Sequence, residues 1–178
     1  SVEIRVICGF FDYGGDMKPL QCFKTGAGRA IYSFPVRSFP TLTNNVYVID
    51  DGQQYVLIDA GSGMERPNAD LLAGFNAISE HLGRPFSLAD IGTILITHGH
   101  IDHFGGLPFV RQYTAAPIGV HILDRRVLSN HEERVVFSYR RLETFLEGAG
   151  VPAEDRLVLM SVYLFSKTYY RSTPVQFL

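Results

Sequence analysis

The sequence predicts an α/β (α+β) fold with a β-rich first half, a β-α-β-α-β middle and a helical end. Three observations predict it. Residues 2–11 alternate Val2, Ile4, Val6 and Cys8; Leu71, Phe75, Ile78 and Leu82 recur at steps of four, three and four; and Ile91-Gly92-Thr93-Ile94-Leu95-Ile96 is an almost unbroken apolar run. A period of two marks a half-buried strand, a period near 3.6 an amphipathic helix, and a short apolar run a strand buried on both faces. With 178 residues and 46% apolar content the chain is long enough for one core, so a single domain over 1–178 is expected.

Each element follows from its local pattern. Asp12-Tyr13-Gly14-Gly15-Asp16 breaks the first strand. The runs 46–49 and 55–58 read as a hairpin, because Asp50-Asp51-Gly52-Gln53 between them contains the Asp-Gly pair that a tight turn needs. The helical spacing predicts a helix over 68–82 with Gly83 as its C-terminal cap. Residues 86–91 are expected to re-enter the sheet ahead of the 91–96 strand, Gly105-Gly106-Leu107-Pro108 to open a short helix ending near Tyr113, and 117–123 to form another strand. From Leu128 the pattern turns helical: Val135, Tyr139, Leu142, Phe145, Leu146 and Ala149 share a face, and Gly148 and Gly150 end the run before Val151-Pro152. A further helix is expected over 154–169, then a turn at Ser172-Thr173-Pro174 and a strand-like 175–178.

A formal charge of −2 and a pI near 6.3 leave no overall electrostatic footprint for nucleic acid or an anionic membrane, so neither is an expected partner. The longest uncharged apolar stretch, 157–166, falls short of the roughly 18 to 20 residues that cross a bilayer. Cys8 and Cys22, the two cysteines, match neither a zinc knuckle nor a CxxC pair, and a reduced, cytoplasmic setting is expected.

The chemistry concentrates in Thr97-His98-Gly99-His100-Ile101-Asp102-His103-Phe104-Gly105-Gly106, directly after the 91–96 run. Three imidazoles and a carboxylate suit zinc or iron and are poor for magnesium or calcium. His98 and His100, two apart, point to the same side of an extended backbone, while Asp102 and His103 turn with the start of a helix toward a second position. Such spacing suits a two-metal site, which supplies hydroxide at neutral pH and polarises a carbonyl or phosphoryl oxygen. Gly99 keeps the loop unobstructed, and Gly105-Gly106 lets a helix terminus approach the sheet.

The HGHIDH segment, with a buried strand and Thr97 before it and FGG after it, resembles the HxHxDH motif of the metallo-β-lactamase superfamily. Leu57-Ile58-Asp59-Ala60-Gly61-Ser62-Gly63 resembles that family's second motif, and the two together cover about 44–123. The resemblance implies an αββα sandwich, of which this chain supplies the first half, with a helical insertion at about 128–170. It implies His98 and His100 on one metal, Asp102 and His103 on a second, and zinc as the usual ion, two per complete site, with iron or manganese as alternatives. Asp59 would orient a ligand or the ligand loop, and Asp102 would also hold or deprotonate the attacking water. The implied activity is a metal-dependent hydrolase whose metal-bridging hydroxide cleaves an ester, lactone, thioester or amide in a small-molecule substrate. The family's later ligands find no counterpart, since His121 and His131 do not stand in the glycine-rich loops those ligands occupy. The domain is therefore expected to be C-terminally incomplete, with a complementary chain or a dimer partner supplying the rest. Two further readings stay open: an iron-dependent oxidoreductase of the same fold, and an inactive half-domain that needs a complementary chain.

Plainer expectations attach to the remaining polar residues. Asp59 also reads as an ordinary turn aspartate, His121 as a half-buried strand histidine, and His81 and His131 as surface residues. Arg125, Arg126, Arg134, Arg140 and Arg141 interleave with Glu132, Glu133, Glu143 and Glu147, which predicts a solvated, charge-paired helix surface. Phe137, Tyr139, Phe145, Tyr163, Phe165, Tyr169 and Tyr170 are expected mostly in the core, with some lining a substrate pocket.

Overall fold

Strand pairing proceeds in chain order across one seven-stranded sheet, in a computed structural model that describes residues 5–8 and 20–176. β1 (Arg5–Cys8), β2 (Gln21–Lys24), β3 (Ala30–Phe39), β4 (Leu42–Asp50) and β5 (Tyr55–Ile58) run antiparallel, and β6 (Ile91–Ile96) and β7 (Ile118–Val120) add in parallel. The rest of the 2–11 strand and the break at 12–16 lie outside the described residues. The change of direction has a covalent cause. A tight turn can join only antiparallel neighbours, whereas β5 and β6 are joined by a long crossover that carries α1 (Glu65–Leu82).

The hairpin between β4 and β5 is the one the Asp-Gly pair predicts. Gly52 takes φ 86°, and Oδ1 of Asp51 accepts the N–H groups of Gln53 and Gln54 at 2.8 Å each. These backbone donors hold the Asp51 carboxyl below its ordinary range. On the next segment, α1 starts at Glu65 rather than at residue 68, because the first-turn N–H groups of a helix have no intrahelical acceptor and Pro67 therefore fits there. Gly83 caps the helix in the left-handed conformation, φ 63°. Gly74 lets α1 settle on the sheet, since a Cβ there would stand 2.2 Å from the Phe34 ring. Phe34, Val36, Val46, Val48, Leu57, Ile94 and Ile118 of the sheet share one core with Leu71, Phe75 and Ile78 of the helix.

Several expectations are corrected. Residues 86–91 do not re-enter the sheet before Ile91: Ser87 and Asp90 form a capping box around a 3₁₀ turn, Leu88–Asp90. The S-x-x-D signal for that turn was present in the sequence. β6 is not buried on both faces, for Ile91, Ile94 and Ile96 are buried whereas Gly92, Thr93 and Leu95 are only partly covered. β7 spans three residues, so His121 falls beyond it and is exposed, its Nδ1 accepting the Leu123 N–H at 3.3 Å.

After β6 come α2 (Ile101–Phe104), α3 (Leu107–Val110), α4 (Arg125–Ser129), α5 (His131–Gly148) and α6 (Ala153–Tyr169). His131 is not a surface residue. It is buried at the start of α5, its ring edge-on to Phe104 and Tyr170 at 5.6 and 5.9 Å. The expected apolar face of α5 is buried only at Val135 and Leu146, with Tyr139 and Leu142 partly covered and Phe145 and Ala149 exposed. Phe137 and Phe165 are likewise exposed, so much of the aromatic set lies outside the core. The reason is geometric. α5 packs chiefly against α6 and α4 rather than on the sheet, and a helix covered along one narrow stripe leaves its remaining apolar side chains open. Residues 170–176 form no strand, yet Gln176 pairs with β7, its N–H donating to the Ile118 carbonyl and its side-chain oxygen accepting the Ile118 N–H.

Candidate functional site

The parallel strands β5 and β6 end side by side, and their carboxyl ends deliver the polar residues. Asp59 directly follows β5, with its N–H bonded to the Leu95 carbonyl of β6 at 2.9 Å. Its φ of +64° makes it the one non-glycine residue in the left-handed region among those described. Aspartate tolerates that region better than most residues, but the conformation still costs energy, and such strain gathers at functional positions.

That strained backbone aims the Asp59 carboxylate at the loop after β6. Oδ1 accepts the Thr97 N–H at 2.9 Å, and Oδ2 lies 2.9 Å from the Thr97 hydroxyl and 2.8 Å from Nδ1 of His103. The Thr97 hydroxyl in turn lies 3.0 Å from Nδ1 of His98. A carboxylate only accepts, so His103 donates to it from Nδ1. Thr97 Oγ1 gives its single hydrogen to the carboxylate and accepts from Nδ1 of His98. One buried carboxylate therefore fixes both rings in the tautomer that leaves Nε2 as a lone pair.

α2 supplies the next two side chains. His100 stands at its N-cap, where its carbonyl accepts the His103 N–H at 3.0 Å, and Asp102 and His103 lie on its single turn. The His98 ring lies 4.6 Å from that of His100 and 4.2 Å from that of His103, centroid to centroid. Oδ2 of Asp102 is 3.3 Å from Nε2 of His103. His98, His100, Asp102 and His103 are thus brought together, with Asp59 behind them. His100 touches this group through the His98 ring and is the exposed member.

Glycine permits the loop to seat against β5. A Cβ on Gly106 would stand 2.0 Å from the Ala60 carbonyl oxygen, and one on Gly63 would stand 2.2 Å from that of Gly105. Through this gap Gly106 donates to the Gly61 carbonyl at 2.9 Å, and Ala60 to the His103 carbonyl at 2.7 Å. At Gly99 a Cβ would press on Asp124 and Val127 at 3.1 Å.

Two participants carried no signal strong enough to find them. Thr97 was legible only as the residue flanking the histidines. Asn44 lies 58 residues from Asp102, yet its Nδ2 donates to Oδ2 of Asp102 at 2.7 Å and to Nε2 of His103 at 2.9 Å. It lies on β4 opposite Val36, beside the register shift between Val36 and Phe39. A bulge frees backbone groups and re-aims side chains. Here Arg37 gives its N–H to Asp70 of α1, the Ser38 hydroxyl donates to the Asp102 carbonyl at 3.2 Å, and Ser62 donates to the Ser38 carbonyl.

The donor chemistry fits a zinc ion at one pair. Two ligands about 2.1 Å from a tetrahedral ion stand about 3.4 Å apart, close to the 3.3 Å between Asp102 Oδ2 and His103 Nε2. Between those two acceptors sits the Asn44 N–H₂ group, a positive partner to both. The wider set is not drawn around a single point: among the described residues no three His, Cys, Asp or Glu side chains are arranged to hold one metal ion. Among the same residues, no helix is long and apolar enough to cross a membrane.

Parts of this sequence are shared with known proteins. Ribonuclease J 1 of Streptococcus pyogenes is 31% identical over 85 residues, 48% of this chain and 15% of that protein. An atrochrysone carboxyl ACP thioesterase of Aspergillus fumigatus is 41% identical over 64 residues, 36% of this chain and 18% of that one. A probable metallo-hydrolase of Bacillus subtilis is 26% identical over 122 residues, 65% and 41% of the two chains. The chain thus spans less than half the length of each of these relatives. Among solved structures, a subclass B3 metallo-beta-lactamase from a soil metagenome library superposes with a TM-score of 0.43 at 26% identity, over 56% of this chain and 33% of that one. The profile of the metallo-beta-lactamase superfamily matches residues 40–164, a span that takes in Asn44, Asp59 and the whole histidine loop. The fold, the loop and the matched span lead to one conclusion: the chain belongs to the metallo-beta-lactamase superfamily.

Proposed function

We propose that this protein is a metal-dependent hydrolase acting on an ester, lactone, thioester or amide, with His98, His100, Asp102 and His103 as its metal ligands. One observation supports the reading above the rest: Asp59, directly and through Thr97, takes the Nδ1 side of His98 and His103 and leaves both Nε2 atoms as lone pairs. A histidine that only filled space would not need its tautomer fixed, whereas a ligand does. Bound zinc lowers the pKa of a water molecule it holds and polarises the oxygen of the group to be cleaved. The chain's own residues do the positioning. Asp59 and Thr97 orient the rings, Ser38 holds the Asp102 backbone, and the Asp102 carboxylate is the group assigned to orient the attacking water and take its proton.

A small acyl substrate is preferred over a polyanion because a formal charge of −2 offers no general attraction for phosphates. The thioesterase among the relatives supports that preference. The likeness to ribonuclease J 1 favours a second reading, phosphodiester cleavage. A panel of thioesters, lactones, esters, amides and a short RNA, assayed with zinc and with chelator, separates the two. Acyl hydrolysis that disappears with chelator and returns with zinc is expected. RNA turnover alone would favour the second reading, and activity indifferent to chelator would sink both.

A further inference from the structure

We propose that Asn44 is a positioning residue of this site, holding Asp102 and His103 as a ready-made ligand pair in the absence of metal; the inference rests on the metal-dependent reading above. Asp102 Oδ2 and His103 Nε2 face each other at 3.3 Å, and both are acceptors once Asp59 has taken the hydrogen of Nδ1. Two lone pairs at that distance repel unless a donor lies between them. The Asn44 amide nitrogen carries two hydrogens and gives one to each, at 2.7 and 2.9 Å. Only the amide orientation with nitrogen toward the pair satisfies both, and it leaves the opposite end of the side chain unmatched. Asn44 Oδ1 is buried with no hydrogen-bond partner among the described residues. An unsatisfied buried oxygen is costly, and folding would ordinarily select a side chain or rotamer that avoids it. The cost is intelligible if the nitrogen end has work to do.

The surrounding backbone supports the same role. Asn44 pairs with Val36 at the point where the β3–β4 ladder slips, and the adjacent bulge residue Ser38 holds the Asp102 carbonyl. Two neighbouring positions of one hairpin therefore grip the two ends of Asp102, one through its carboxylate and one through its backbone. Asn44 acts through Asp102 and His103: without metal it holds their spacing near that of two zinc ligands and caps the Nε2 lone pair of His103, so zinc takes the pair only by displacing the amide.

The test compares the protein with Asn44→Leu, which keeps similar volume without the donor, and with Asn45→Ala, the exposed neighbour on β4, as control. Zinc affinity is measured by competition with a chromophoric chelator. Long-range ¹H–¹⁵N spectra of the metal-free protein report which nitrogen of His103 carries the hydrogen. The expected result is the Nδ1–H tautomer in the unmodified protein and in Asn44→Leu, where Asp59 still accepts from Nδ1, a rise in zinc affinity of about 10-fold in Asn44→Leu because zinc no longer has to displace the amide, and no change in Asn45→Ala. Zinc binding by Asn44→Leu equal to or weaker than that of the unmodified protein overturns the role of Asn44 and leaves the metal-dependent reading standing. Failure of the unmodified protein to bind zinc overturns both. If Asn44→Leu does not fold, the spectrum of the unmodified protein decides, and a hydrogen on Nε2 of His103 refutes the proposal.

Discussion

Asp59 combines a strained backbone with the most connected side chain of the site, and the two properties are separable by mutation. Asparagine tolerates φ near +64° about as well as aspartate, whereas alanine does not. Asp59→Asn should therefore keep the backbone and disturb only the hydrogen bonds, because an amide cannot accept from Thr97 and His103 with both ends. Asp59→Ala should add the strain of a left-handed alanine and leave Nδ1 of His103 without its acceptor, for a combined loss of about 2–4 kcal/mol in urea unfolding. Asp59→Asn should lose less than half of that while still weakening zinc binding. Equal stability loss in the two variants would show that strain is not part of the position. At this scale the sequence was informative where chemistry is local. His98, His100, Asp102 and His103 fall in one hexapeptide, and Asp59 stands in a motif of its own. Asn44 and Thr97 were not legible as participants, because an amide and a hydroxyl have many ordinary uses and only the folded sheet brings Asn44 across 58 residues to Asp102.

Between elements, the decisive contact is the seat of the β6–α2 loop on the end of β5. Gly106 has an ordinary negative φ, so its requirement is spatial rather than conformational. A Cβ there meets backbone, the Ala60 carbonyl, which cannot rotate away as a side chain can. Gly106→Ala should destabilise by about 3 kcal/mol or more and move the histidine loop. Gly148, at the end of α5, has open space around its Cβ direction. Gly148→Ala should stabilise by up to about 1 kcal/mol. Thermal unfolding of the two variants checks both signs, and a neutral Gly106→Ala would show that the loop can give way. The same contrast explains which elements were readable. The β4–β5 hairpin and α1 were readable because turn chemistry and one-sided burial leave a periodic trace. The face of α5 was misjudged because apolar periodicity reports what a helix is able to bury, and α5 meets α6 and α4 instead of a full layer.

Across the whole molecule, the site lies at the carboxyl ends of the parallel strands, and residues 170–176 close over the elements behind it. Thr173 donates to the Leu128 carbonyl of α4, the Ser172 hydroxyl accepts the His131 N–H at 2.8 Å, and Gln176 pairs with β7. Tyr170 packs close to Gly105 of the histidine loop. Two titratable groups secure this strap with the same pH sense. The Ser172 hydroxyl and N–H both donate to the Glu132 carboxylate and pull it down to about 2. Its lowered value means that its contribution is complete above the unfolded value near 4.5 and is lost as pH falls toward 2. Burial against Phe104 and Tyr170 disfavours the charged form of His131 and pushes it below 6.5, with Glu132 and the Val127 carbonyl opposing more weakly. A histidine kept neutral by folding likewise stabilises fully above 6.5 and less as the pH falls below it. Acid should therefore loosen the strap in two stages, the first below pH 6.5 through His131 and the second below 4.5 through Glu132. Urea midpoints measured from pH 8 to pH 3 on the protein, on His131→Phe and on Glu132→Gln test the assignment. His131→Phe should remove the upper stage, and Glu132→Gln should flatten the lower stage while deepening the upper one, because the carboxylate no longer favours the charged form of His131. A lower stage of unchanged depth in Glu132→Gln would move that dependence to other carboxylates and remove Glu132 as the fastening of the strap.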